Sequence, residues 1–154
     1  MNKKTIYTIV PILTLTILLF VNSTRIIECQ KKIISTKDAP QPIGPYSQGV
    51  LAGNTLYCAG QVGINPMSGK LDSTGIVGET EQILKNLKAV KVAGGMEFTD
   101  VVKTTIYLKN IKDFAKVNEI YGKYFTSAPP ARETVGIADL PKGANIEISM
   151  IAVK

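Results

Sequence analysis

Asn145-Ile146-Glu147-Ile148-Ser149-Met150-Ile151-Ala152-Val153 sets Ile146, Ile148, Met150 and Ala152 against Glu147, Ser149, Ile151 and Val153. Strict alternation over this length is the period of a β-strand, whose successive side chains point to opposite faces. One face is wholly apolar and belongs to a core. The other carries a carboxylate and a hydroxyl, but also two β-branched apolar residues. Such a face is not simply a wet one. A sheet with helices on one side and a half-apolar second side usually buries that side against another subunit.

Working back along the chain, Arg132–Ile137 reads as another strand, entered through Pro129-Pro130, which disfavour helix. Phe114, Val117, Tyr121 and Tyr124 mark the buried face of a helix that starts near Asn110 and Asp113. Val101–Leu108 is β-branched and aromatic, hence a strand. Ile76, Thr80, Ile83, Leu87, Val90 and Gly94 make a longer helical stripe, with lysines on the opposite side and Gly94-Gly95 as its stop. Gly63 to Gly75 is an exposed loop. Gly53-Asn54 joins a strand ending near Val50 to another over Thr55–Gln61 as a hairpin. Ile33-Ile34 makes a short first strand. The order is β-β-β-α-β-α-β-β, which predicts an α+β domain of two layers: a mixed sheet with two helices on one face.

The chain has 154 residues, enough for one domain with a real core. Hydrophobic content of 45% with 19% charged residues excludes a disordered chain. The formal charge is +6. Residues 1–32 carry five basic side chains against Glu28, a net of +4, which leaves +2 for the body. So weak a field gives little reason to bind a phosphate backbone. There is no histidine, which removes histidine triads and histidine-bearing zinc sites. Cys29 and Cys58 make no disulfide framework, and Cys58 reads as a small buried hydrophobe. No metal and no cofactor are expected.

Residues 1–31 are read as a targeting leader and 32–154 as the folded domain. Lys3 and Lys4 precede an apolar run from Ile6 to Val21, short for a membrane span and right for a secretory signal. Cleavage near Asn22-Ser23-Thr24 is expected, with an uncleaved endomembrane anchor as the alternative and the only route to a membrane. The basic stretch Arg25–Lys32 is also compatible with an onward route to a plastid-like organelle.

Three residues are candidates for chemistry. Arg132 is the only arginine outside the leader, placed where the chain enters a strand. Its planar fork suits a carboxylate or phosphate, and the plainer alternative is a surface ion pair. Glu147 stands mid-strand between isoleucines on the half-apolar face. A carboxyl desolvated there would have a raised pKa fitted to proton transfer; a solvated strand glutamate is the alternative. Tyr46 follows a Gly-Pro turn that can project a phenol from a loop tip. Gly60, before Gln61, permits close backbone approach to a ligand, or marks a bulge.

The order Ile43-Gly44-Pro45-Tyr46-Ser47-Gln48, Ala59-Gly60-Gln61, Val102-Lys103-Thr104-Thr105, Asp113-Phe114 with Val117-Asn118, Pro130-Ala131-Arg132 and Leu140-Pro141-Lys142 with Ile146-Glu147-Ile148 resembles the reactive intermediate deaminase family, the RidA, YjgF-like or L-PSP endoribonuclease-like proteins. The resemblance covers the body from about Ile33 and leaves out the leader. It implies a chorismate-mutase-like fold, a homotrimer with clefts between subunits, and hydrolysis of reactive 2-enamines and 2-imines, such as 2-aminoacrylate and 2-iminobutanoate, to 2-keto acids and ammonia. By matched position, it implies that Arg132 clamps the substrate carboxylate, Glu147 positions or activates water, and Tyr46 lines the cleft. Backbone groups near Gly60 and Thr134 complete the site, and Asn118 is given a structural part. Ala59, where many members have serine, removes one possible hydroxyl contact and bears on substrate preference; Thr134, where some have cysteine, matters little where the backbone does the work.

Two other functions are set beside imine deamination. One is an RNA-cleaving or translation-inhibiting protein, which the near-neutral body disfavours. The other is a non-catalytic trimer that binds small carboxylates or acts as a chaperone; it would need Arg132 but not Glu147. Fold alone does not choose among them.

Overall fold

A computed structural model describes residues 30–154. The expected leader lies outside the described residues except for Gln30 and Lys31, and Lys31 already opens the first strand. The elements are β1 (Lys31–Ile34), β2 (Gly49–Ala52), β3 (Thr55–Val62), α1 (Ile76–Ala93), β4 (Val101–Leu108), α2 (Phe114–Gly122), β5 (Ala131–Gly136) and β6 (Ile146–Val153). They form one six-stranded sheet in the order β1-β2-β3-β6-β4-β5. The order of elements and the α+β class follow the sequence reading.

The last strand to be made lies in the middle. β6 runs antiparallel to both β3 and β4, and β5 lies parallel to β4 at the far edge. Parallel neighbours need a crossover, and α2 provides it. The alternation of β6 is realised residue by residue: Ile146, Ile148, Met150 and Ala152 are buried, and the four between them are half-buried. Their buried face meets Ile83, Leu87 and Val90 of α1 and Val117 and Ile120 of α2 in a single core. On the other face, cross-strand pairing puts Ile33, Val50, Tyr57 and Ile151 side by side in a row. Ile33 and Tyr57 are about half exposed there.

Two local expectations give way. The lysines of α1 do not all lie opposite its stripe, because Lys91 is fully buried. It follows Val90 and stands one turn beyond Leu87, so the helix carries it into the core with them. Its Nζ has no hydrogen-bond partner and sits 2.9 Å from the centre of the Phe98 ring. Burial pulls its pKa down to about 7, against the pull of Cys58, Glu97 and Asp100. Cys58 is buried as expected, and burial pushes its thiol up to about 11. In α2, Phe114 is exposed rather than buried, and Tyr124 lies beyond the helix end. The Asn110 side chain accepts from Lys112 N–H and so caps a 3-10 turn that precedes the helix.

Two buried polar side chains fix the loops that matter. Gln48 accepts from Thr36 N–H at 2.7 Å and donates to Ala39 and Pro40 carbonyls at 3.1 and 2.8 Å, which ties down the loop before β2. Glu79 accepts from Asn145 N–H at 2.8 Å and from the Asn145 amide, which anchors the start of β6 to α1. Gly63 makes room for this clamp: a Cβ there would stand 2.6 Å from the Glu79 Cα.

Candidate active site

Glu147 is the second residue of β6, opposite Val62 of β3 and Tyr107 of β4, on the open face. The β3–β6 register breaks between Cys58 and Gln61, beside this residue. Gly60 lies in the break. A Cβ built on it would overlap a Glu147 carboxylate oxygen and lie 2.8 Å from its Cδ. The close approach that glycine permits at position 60 is thus to the Glu147 side chain. Burial alone pushes the carboxyl of Glu147 above the usual range, since no charged group contributes.

The carboxyl faces a cavity of about 350 Å³ with Tyr46, Ala59, Gly60, Gln61, Pro141 and Lys142 among its walls. Apolar contributions come from Pro40, Ile43, Val62 and Ile64. Tyr46 sits on the loop that Gln48 anchors, half exposed, and its hydroxyl accepts from Ile43 N–H at 3.3 Å. Glu147, Tyr46 and Gly60 therefore come together in one pocket. Lys142, which sequence reading did not single out, joins them from a 3-10 turn where its φ is +62°.

Arg132 and Thr134 are elsewhere. Arg132 pairs with Thr104 and Thr134 with Ile106, and both partners are fully buried on the helix-facing side. Cross-strand partners share a face, so Arg132 and Thr134 point away from the face of Glu147. The Arg132 guanidinium lies 4.9 Å from the ring centre of Tyr121 and 5.5 Å from that of Phe114. It lines a second cavity with Asn118, Tyr121, Phe125 and the two prolines. The surface ion pair considered for it is not what forms among the described residues: the adjacent Glu133 pairs with Lys103 at 3.4 Å instead. A flat cation resting on aromatic faces is held in place while its hydrogen-bonding edge remains available. The Thr134 hydroxyl is buried there without a hydrogen-bond partner.

Tyr121, in the wall of this second cavity, and Phe114, beside the guanidinium, are the supports of Arg132 that sequence reading missed. Both were read as core, because helical spacing marks a face without saying what lies under it. Tyr121 also donates to Thr104 Oγ1 at 3.0 Å, which fixes its ring below the guanidinium.

The sequence pattern of the Endoribonuclease L-PSP family matches residues 36–154. The human 2-iminobutanoate/2-iminopropanoate deaminase is 50% identical over 124 residues, 80% of this chain and 90% of that one. A Yersinia pestis structure of the conserved Rid protein family superimposes with a TM-score of 0.79 at 45% identity, covering 81% of this chain and 100% of that one. The structure of Escherichia coli TdcF with bound serine gives a TM-score of 0.77 at 37% identity, over 80% and 98% of the two chains.

Proposed function

The chain belongs to the Endoribonuclease L-PSP family, and on that premise we propose that it hydrolyses reactive 2-imino and 2-enamino acids, such as 2-iminobutanoate and 2-aminoacrylate, to 2-keto acids and ammonia. The observation that carries this reading is the half-buried Glu147 carboxyl, raised by burial and set in the wall of an open cavity. A carboxyl shifted toward neutral pH is a better proton carrier than a solvated one. The name of the human relative and the serine bound to TdcF support a small amino-acid-like ligand.

In the proposed reaction Arg132 grips the substrate carboxylate with its two-pronged edge. An enamine first tautomerises to its imine. Glu147 then takes a proton from a water molecule as the water oxygen bonds to the imine carbon, the C=N π pair moves to nitrogen, and Glu147 returns the proton to that nitrogen. The carbinolamine collapses as its hydroxyl proton passes through Glu147 to the nitrogen, the carbon–nitrogen bond breaks, the carbonyl forms, and ammonia and the keto acid leave. Imines already hydrolyse in water, so orientation and proton transfer suffice, and each can supply several kcal/mol. Tyr46 lines the cleft, and backbone groups near Gly60 and Thr134 complete it.

Because Arg132 and Glu147 face opposite sides of one sheet, the site needs two protomers. The proposed arrangement is a homotrimer in which Arg132 of one protomer reaches the Glu147 pocket of the next. The apolar row Ile33, Val50, Tyr57 and Ile151 supports an assembly through the open face. The leader over 1–31 is proposed to direct the chain into the secretory pathway, which sequencing the mature N-terminus checks.

The test uses protein beginning at Lys31, an amino-acid oxidase to generate imine, and semicarbazide to trap it. Wild-type protein is expected to suppress semicarbazone, and Arg132→Ala and Glu147→Gln to fail. Loss only in Arg132→Ala would leave the carboxylate anchor in place but remove Glu147 as an essential proton carrier. No effect of wild type on any imine would refute the proposal.

A further inference from the structure

Resting on that reading, we infer that Gly60 is a positioning residue: the space left by its missing side chain is the seat that holds the Glu147 carboxyl against β3 and out of water. Three observations meet at this point. A Cβ at position 60 would lie 2.8 Å from the Glu147 Cδ and 3.2 Å from its Cγ, as well as overlapping a carboxylate oxygen, so the carboxyl occupies a methyl's place. The one register break of the β3–β6 pair falls between Cys58 and Gln61, the interval that holds Gly60, so regular pairing gives way beside the carboxyl. The shift of Glu147 has burial as its one cause.

The other groups that face the carboxyl do not account for its placement. Tyr46 comes from the loop before β2, Lys142 from the turn before β6, and Tyr107 from β4 on the same open face. Tyr46 is engaged with Ile43 N–H. No ion pair among the described residues includes Glu147 or Lys142. The carboxyl is held by shape: backbone on one side, the cavity on the other. Any side chain at position 60 would push it into solvent, where its proton affinity returns to that of an ordinary glutamate. The reactive form would then survive to lower pH but stand out of reach of the water.

The inference is tested with Gly60→Ala by a pH profile of kcat and KM in the semicarbazide assay, and by a double-substitution cycle on stability. Gly60→Ala is expected to lower kcat on the order of 100-fold, as an ångström of misplacement does. The acid limb should move to lower pH, while KM, set by Arg132, changes little. A loss of activity with the acid limb unmoved would overturn the inference. The cycle keeps it exposed if the variant folds poorly or if the protein hydrolyses no imine. Gly60→Ala should change the urea midpoint by clearly different amounts with Glu147 present and in a Glu147→Ala background, because only the first variant has a carboxyl to displace. An equal change in both backgrounds means that the glycine serves the backbone alone, and the inference falls whatever the activity shows.

Discussion

Replacing Lys91 with methionine should make this protein more stable, and by an amount that depends on pH. The side chain is fully buried, and burial lowers its pKa from 10.5 to about 7. At ~1.4 kcal/mol per unit, that displacement corresponds to about 5 kcal/mol against the charged form. That cost is borne at pH 6, where both the folded and the unfolded chain hold the proton, with Nζ 2.9 Å from the centre of the Phe98 ring. Between pH 7 and 10.5 the unfolded chain holds the proton and the folded one does not, so stability rises with pH. Cys58 works the other way. Its thiol, pushed up to about 11, stays protonated in the fold while the unfolded thiol ionises near 9, so stability falls above pH 9. The window that isolates Lys91 is therefore pH 6 to 8.5. Urea denaturation at fixed protomer concentration should show wild type gaining about 2 kcal/mol across it, and Lys91→Met starting higher and staying flat. Equal pH slopes in the two proteins, or a Lys91→Met that is less stable at pH 6, would refute the reasoning.

Other outcomes follow from the same geometry. Glu79→Ala should cost about 3 kcal/mol, because two Asn145 donors lose a buried charged acceptor; a urea midpoint within error of wild type would count against the clamp. Tyr121→Phe should cost about 1 kcal/mol by stranding the Thr104 hydroxyl, and should raise KM more than it lowers kcat, since it loosens the seat of Arg132. Tyr57→Asp, in the apolar row of the open face, should yield folded monomers in light scattering and no imine hydrolysis. An active monomer would remove the shared cleft.

Most of the architecture was legible because its signals are local. The alternation over Ile146–Val153 showed both faces of the central strand, and the Gly53-Asn54 turn, with Gly53 at φ 59°, set the hairpin register. The stripe of α1 was read correctly as a period and wrongly as a uniform polar back. Position 91 lies at the edge of the stripe, one turn beyond Leu87, where lysine's long stem lets it be drawn inward to the ring of Phe98, a residue distant enough in sequence that the stripe alone does not reveal it. Phe114 was misplaced for the opposite reason: Val117 and Tyr121 on the same helix are core, but its own ring lies beside the Arg132 guanidinium and stays exposed. The site residues were named without their grouping. Arg132 and Glu147 could be picked by residue type and place in a strand, but which face each takes depends on strand pairings far apart in sequence. The role of Gly60 toward Glu147 depends on a register break that no single stretch reveals.

That Arg132 and Glu147 lie on opposite faces of the sheet has a consequence for mixed populations of protein. A protomer with Arg132→Ala keeps an intact glutamate pocket, and one with Glu147→Gln keeps an intact arginine. With the proposed cleft shared between protomers, each would be inert alone. Unfolded together in equal amounts and reassembled, they would build about a quarter of their clefts from the two sound halves, whatever the size of the ring. Two dead enzymes would restore each other in one tube, as two damaged alleles would in one cell.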